Sequence, residues 1–281
     1  MRRVALLAAV GLCALAPAAE AAPKRIVALN PFSANTVADL GVRPVAIGQI
    51  PSGDVFWSPR LRGVRRLPLS HPSGPNLEQL ATLNPGLVLS SPAWSRGHRA
   101  MRRLGMKVAE TEPRSVHATG AMIKKIGGLI GKKAAAARMA DRNAADVARA
   151  TRGIRKRPRV LVILGIGRVP YAFLANSWGG DIVSRAGGRL LTDGLRAGDG
   201  FARISNETVV KRNPDIIIAV PHGSPKDMPR LAAYLRSNPA WRTTKAARKG
   251  RVYVSTGNSL LQPWTDVGRT IRDIRTKYLH N

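Results

Sequence analysis

Residues 116–155 read VHATGAMIKKIGGLIGKKAAAARMADRNAADVARATRGIR, the longest proline-free stretch with helical apolar spacing, lying near the middle of the chain. Met122, Ile126, Leu129 and Ile130 fall at i, i+4, i+7 and i+8, and Ala136, Met139, Ala140, Ala144, Val147 and Ala148 continue a stripe of small apolar residues. The glycines at 127, 128 and 131 predict a break into a short helix and a long one from Lys132, because adjacent glycines cost roughly 1 kcal/mol each inside a helix. A helix from Lys132 to Arg155 would be a rod of roughly 35 Å at ~1.5 Å per residue. Such a rod can join two lobes, and the flanking sequence supplies them.

Upstream, Lys24 to Leu29 is a short apolar strand running into Asn30-Pro31-Phe32-Ser33, with Ser33 or Asn35 as the helix cap and Gly41 after the helix end. Val45 to Gly48 is a second strand. Gln49 to Pro75 reads as a long loop, Asn76 to Ala81 as a short helix, and Gly86 to Leu89 as a strand opening into Ser90-Ser91-Pro92-Ala93-Trp94. Downstream the alternation restarts with the apolar strand Arg159 to Leu164, the helix Trp178 to Ala186, a loop from Leu190 to Ile204, the helix Ser205 to Arg212 and the strand Asp215 to Val220. A helix from Lys226 to Leu235, the strand Val252 to Val254 and a helix from Trp264 to Leu279 follow. Alternating strands and helices predict mainly parallel sheets. The expected organisation is a signal peptide (1–21), an N-terminal α/β lobe (22–115), a connecting backbone helix (116–155) and a C-terminal α/β lobe (156–281).

The first residues carry Arg2 and Arg3, an apolar run from Val4 to Ala16, and Ala19-Glu20-Ala21 as a cleavage signal. The run is shorter than the ~20 residues a membrane span needs. Cys13, the single cysteine, follows Gly11-Leu12 rather than a lipoprotein motif, so the expectation is an exported, soluble, unanchored protein whose core has no disulfide. With 46 Lys and Arg against 16 Asp and Glu the chain carries +30, a field that attracts anions. Its cations are spread along the length without interleaved aromatics, which argues against nucleic acid. Only Arg152 to Arg159 (RGIRKRPR) is dense, and that is where a membrane-surface role could reside.

Motifs for catalysis fail when tested. Gly165-Ile166-Gly167 lacks the third glycine of a dinucleotide fingerprint, Gly131-Lys132 lacks the first glycine and the Ser or Thr of a phosphate loop, and no nucleophile elbow or paired-histidine zinc helix occurs. No metal site is expected. Histidines 71, 98, 117, 222 and 280 are far apart in sequence and read as surface or loop residues, except that His222 directly follows the strand ending at Val220, where open α/β sheets place ligand contacts. Tyr234, Trp241 and Tyr253 read as core. Trp57, Trp94, Tyr171, Trp178, Phe201 and Trp264 sit in or beside predicted loops, with Arg96 sharing the Trp94 loop. Loop aromatics with an arginine suit a bulky, partly apolar, anionic ligand.

The segments RIVALNPFSANTVADLGVRPVAIG, PNLEQLATLNPGLVLSS, RVLVILG, SWGGDIVSRAGG, ISNETVVKRNPDIIIAV and NPAWRTTKAARKGRVYV, in this order around a long helix, resemble the helical-backbone (class III) periplasmic substrate-binding proteins of ABC importers. Those proteins serve ferric siderophores, cobalamin and haem. Asn76-Leu77-Glu78, Phe201 before Ser205-Asn206-Glu207, and Pro225-Lys226-Asp227-Met228 resemble the ferric hydroxamate branch. The resemblance implies a shallow inter-lobe cleft with limited hinge motion, lined by Trp57, Trp94 and Arg96 from the first lobe and Tyr171, Trp178, Phe201, His222 and Trp264 from the second. It implies docking on a permease through Glu78 and Glu207, one per lobe. The implied ligand is an iron(III)-siderophore chelate bound by a monomer without a resident cofactor, whose only membrane contact is through the permease and its ATPase. Cobalamin is the alternative. Haem fits less well, because the loop in which haem binders carry a tyrosine or histidine has Trp94. An exported enzyme or adhesion protein on this scaffold is the rival of a different class.

Overall fold

The computed structural model describes residues 25–49 and 57–280. The expected signal peptide lies outside the described residues. In the first lobe, β1 (Ile26–Ala28) leads into α1 (Pro31–Asp39), followed by β2 (Ala46–Gln49), β3 (Arg65–Ser70), β4 (Gly74–Pro75), α2 (Leu77–Thr82), β5 (Leu87–Ser90), α3 (Ser95–Arg103) and β6 (Lys107–Glu110). The strands form one sheet in the order β4-β3-β2-β1-β5-β6, parallel except for β4.

Helices α4 (Thr119–Leu129) and α5 (Lys133–Ala150) come next. The second lobe is then built from β7 (Arg159–Ile166), β8 (Val169–Phe173), α6 (Trp178–Arg185), β9 (Arg189–Leu190), β10 (Phe201–Arg203), α7 (Asn206–Arg212), β11 (Ile216–His222), α8 (Met228–Arg236), α9 (Lys245–Arg248), β12 (Val252–Val254) and α10 (Val267–Ile274). Its sheet runs β10-β8-β7-β11-β12, with β9 beside the start of β7. Strands β9, β11 and β12 are parallel to β7's direction, and β8 is antiparallel to it. This is the expected architecture of two α/β lobes with a helical connection.

Several details differ from the sequence reading. The stretch taken as one loop before Pro75 contains β3, where Leu67 and Leu69 alternate inward beneath the exposed Arg65 and Arg66; Pro68 hides that pattern. The predicted loop after Leu190 contains β10. Helix α1 is capped by Asn30, whose side-chain oxygen accepts from the Ser33 N–H at 2.8 Å, rather than by Ser33 or Asn35. The connecting helix spans 18 residues, roughly 27 Å, and is shorter than the predicted rod. Gly127 and Gly128 lie inside α4, and the break falls after it, with Gly131 at φ +73°. Gly127 is there for contact: a Cβ on it would come within 2.1 Å of the Ala136 methyl, so its absence lets α4 and α5 press together.

The connection works because α5 belongs to both cores. Ala136 and Ala140 pack with Ile123, Ile126 and the first lobe's Phe32 and Val37, whereas Ala150 and Val147 pack with Val267 and Ile271 of the second. Asn143, between these two groups, is 8% exposed; its amide donates to Thr265 O and its oxygen accepts from the Thr119 hydroxyl at 3.3 Å. A buried amide satisfied from both sides fixes the rotation of α5 against the second lobe. Among the described residues no helix is long and apolar enough to cross a membrane.

Candidate functional site

Parallel sheets collect the residues that follow their strands at one edge. In the second lobe β7 and β11 end side by side, with Ile166 opposite His222. Beyond them lies a cavity of about 290 Å³ lined by Arg168, His222, Asp227, Arg230, Leu231 and Tyr234, with Gly167 and Gly223 at the strand ends. The Arg168 guanidinium lies 5.5 Å from the centre of the Tyr234 ring, a cation–π contact between two residues of the cavity lining. His222 is exposed as a residue, yet burial of its imidazole, and after it the charge of His71, hold its pKa below the ordinary value. His71 belongs to the other lobe. The two imidazoles are therefore within electrostatic reach of each other, one from each lobe.

His71 has a defined setting. It follows β3, and its ring meets Trp94 edge-on at 6.0 Å. Trp94 is carried by the short 3-10 turn Pro92–Trp94, whose preceding Ser91 accepts from the Ala93 N–H at 3.0 Å. Behind this pair α3 comes so close that a Cβ on Gly97 would stand 2.0 Å from the Ser73 carbonyl oxygen. Backbone cannot yield as a flexible side chain can. Gly97→Ala is therefore expected to lower stability by about 2–3 kcal/mol through overpacking, read by urea unfolding. An unchanged midpoint would mean that the 71–75 segment is not held against α3.

The sequence-predicted residues divide. His222 lines the cavity and Arg96 is exposed on the first turn of α3. Trp94 is 8% exposed, packed in the first lobe's core with His71 in a T-shaped contact on its ring. Trp178 is 5% exposed and donates its indole N–H to Ser259 O at 2.9 Å, which makes it core rather than a ligand wall; Trp264, at 9%, is buried likewise. Tyr171 and Phe201 are half-buried on the second core, with Phe201 edge-to-face on Phe173 at 4.9 Å. Trp57 packs on the first core beneath the Arg66 guanidinium, 4.2 Å from its ring. Conversely Tyr234, read as core, lines the cavity. Trp241 is core as expected, at 1%.

His98 is not a surface histidine. It is buried, with Nε2 2.8 Å from the Ser90 hydroxyl and Nδ1 3.4 Å from a Glu110 carboxylate oxygen. Ser–His–Glu in that order mimics a nucleophile relay. Ser90, however, is fully buried, so no substrate carbonyl can reach its hydroxyl, and the array instead ties α3 to the ends of β5 and β6. Nearby, burial pushes the Glu112 carboxyl up to about 7, with the Ser91 hydroxyl and the Arg114 charge pulling it partly back.

Glu78 and Glu207 are exposed and stand in equivalent places. Each lies in the first turn of a helix, capped by Asn76 (Gln79 N–H to Oδ1, 2.9 Å) or Ser205 (Thr208 N–H to Oγ, 3.1 Å). Hydrogen bonds from Ser205 and from its own backbone N–H keep the Glu207 carboxyl below the usual range. Because α2 and α7 precede the parallel strands β5 and β11, both helices begin at the edge where those strands end.

Residues 26–258 match the periplasmic binding protein family model. A cobalamin-binding protein of Halobacterium salinarum is 29% identical over 251 residues, which cover 87% of this chain and 66% of that protein. A high-affinity heme uptake system protein of Staphylococcus aureus is 28% identical over 194 residues, 66% of this chain and 64% of that one. The chain thus matches just under two thirds of the length of these relatives. The crystal structure of an ABC transporter substrate-binding protein from Listeria monocytogenes superposes with a TM-score of 0.78 over 92% of this chain and 100% of that one, at 21% identity, a likeness of fold.

Proposed function

This chain belongs to the periplasmic binding protein family, and we propose that it is an exported solute-binding protein that captures an anionic metal chelate between its lobes and delivers it to the permease of an ABC importer. The ligand class best served by the residues is a metal tetrapyrrole of the haem type, which carries anionic carboxylates and open axial positions, ahead of a corrinoid, which brings axial ligands of its own. The observation that carries this reading is the pair His71 and His222, one imidazole from each lobe within electrostatic reach. A depressed pKa leaves the His222 ring neutral, with a lone pair for a metal. Among the described residues no three His, Cys, Asp or Glu side chains converge, so the histidines suit a metal that arrives already chelated and lacks only axial ligands. The objection that the Trp94 loop holds no histidine is met by His71 against the Trp94 ring.

A ferric siderophore of hydroxamate or carboxylate type is the second reading, favoured by the cations Arg96, Arg168 and Arg230 along the same edges. There iron is fully ligated and the histidines are spectators. Titration with haemin, cobalamin and ferric siderophores, followed by absorbance and tryptophan fluorescence, separates the readings. If none binds at micromolar concentration, metal-chelate capture is wrong.

The permease meets Glu78 and Glu207. In a basic chain, two carboxylates at matching helix starts on the ligand side of both lobes suit arginine-lined pockets. Changing both to alanine is expected to abolish uptake in cells while leaving chelate affinity in solution intact. Loss of affinity would assign them to the ligand site instead.

A further inference from the structure

The edge of the second lobe opposite the cleft is as basic as the cleft edge is mixed. Strands β7 and β9 begin there in register, Arg159 opposite Arg189, and β12 begins just after Arg251. Arg275 donates to the carbonyls of Ala150 (2.6 Å) and Arg152 (2.9 Å), which folds the dense RGIRKRPR segment onto this edge. A cavity of about 410 Å³ is lined there by Lys156, Arg157, Lys249, Arg251 and His280, with Asp215 the one carboxylate among the described residues that line it. Asp215 is already engaged, accepting the Arg159 N–H at 3.0 Å. Arg152, Arg157, Arg189 and Lys249 are exposed, and among the described residues no ion pair joins them or Arg251 to a carboxylate. On α5 and α6, by contrast, Arg149 and Arg185 pair with Asp146 and Asp181.

We infer that this edge is an adsorption surface for an anionic phospholipid membrane, an inference that rests on the exported reading above. Charges contributed by four separate segments present a broad face rather than a closed pocket, which suits a plane of headgroup phosphates better than one small anion. A nucleic acid would call for free stacking rings, and the aromatics at this edge, Tyr253 and Tyr278, are half-buried against each other with centroids 5.5 Å apart, the Tyr253 hydroxyl lying 2.7 Å from His280 Nε2. Adsorbed by this edge, the protein turns its cleft away from the membrane, open to arriving ligand.

The test is co-sedimentation of the full chain with vesicles. Binding is expected to phosphatidylglycerol vesicles and not to phosphatidylcholine vesicles, and to be lost at about 1 M salt, where screening acts within ~3 Å. Arg157→Glu with Lys249→Glu is expected to cut the binding constant by about tenfold or more. Arg99→Glu with Arg103→Glu, exposed on α3 and equal in charge change, is expected to leave most of it. An equal loss in that control would reduce the effect to diffuse net charge and overturn the inference, as would full displacement by millimolar inorganic phosphate or equal binding to the neutral vesicles. Chelate titration of the wild type is read separately. Its failure alongside intact vesicle binding sinks the ligand proposal and leaves this one standing.

Discussion

His222→Ala is expected to weaken binding of a metal tetrapyrrole by more than the roughly 10- to 100-fold that loss of an outer-shell partner costs at a metal site, and to leave the affinity for a ferric siderophore unchanged. The asymmetry follows from coordination. A hexadentate siderophore offers its iron no free position, whereas a planar macrocycle leaves axial positions that a neutral imidazole can fill. His71→Ala is expected to change the absorbance spectrum of the bound chelate as well as its affinity, because that ring approaches from the opposite lobe. Arg168→Ala and Arg230→Ala serve as the contrast: removing a cation weakens any anionic chelate and leaves the spectrum unmoved. Equal affinity and an unshifted spectrum in both histidine variants would sink axial ligation and return the siderophore to first place.

The parts of the molecule that were legible in sequence are those set by local repetition. Apolar strands alternating with helices, glycines after helix ends and one alanine-rich stripe suffice for two parallel-sheet lobes and their helical connection. Gly127 shows the limit. Propensity reads it as a break, but its hydrogen faces the Ala136 methyl of a neighbouring helix, and tertiary contact outweighs ~1 kcal/mol of propensity. The same limit governs the site. Trp178 follows a strand and reads as a cleft aromatic, yet burying so large a ring stabilises more than exposing it, and Ser259, 81 residues away, satisfies its N–H. His71 and His222 are 151 positions apart and belong to different lobes, so nothing local marks them as a pair. Arg230 and Tyr234, i and i+4 on α8, were the one overlooked signal: a cation and a ring on one helix face just after the strand that ends at His222.

Glu112→Gln is expected to stabilise the protein above neutral pH, the reverse of what removing a charged, hydrogen-bonded carboxylate usually does. Glu112 follows β6 and is half-buried with its carboxyl beside the Ser91 hydroxyl, and that burial raises its pKa from 4.5 to about 7. The folded chain therefore holds this proton more tightly than the unfolded chain. Its favourable contribution is complete below about 4.5, declines as the pH rises through 7, and is absent above. That gap corresponds to about 3 kcal/mol across the window. Glutamine is neutral throughout and keeps a group for Ser91 to bond, so the variant should unfold with the same urea midpoint as the wild type near pH 4 and at a higher one at pH 8. Identical pH profiles would show the carboxyl to be solvated. Ser91 also accepts from the Ala93 N–H and so begins the turn that carries Trp94, the ring against His71. Ionisation turns Glu112 into a stronger acceptor for that serine and tightens the turn just where holding the proton loses its advantage. If the turn positions His71, the glutamine variant should gain stability at pH 8 and lose chelate affinity there, while matching the wild type in both near pH 4.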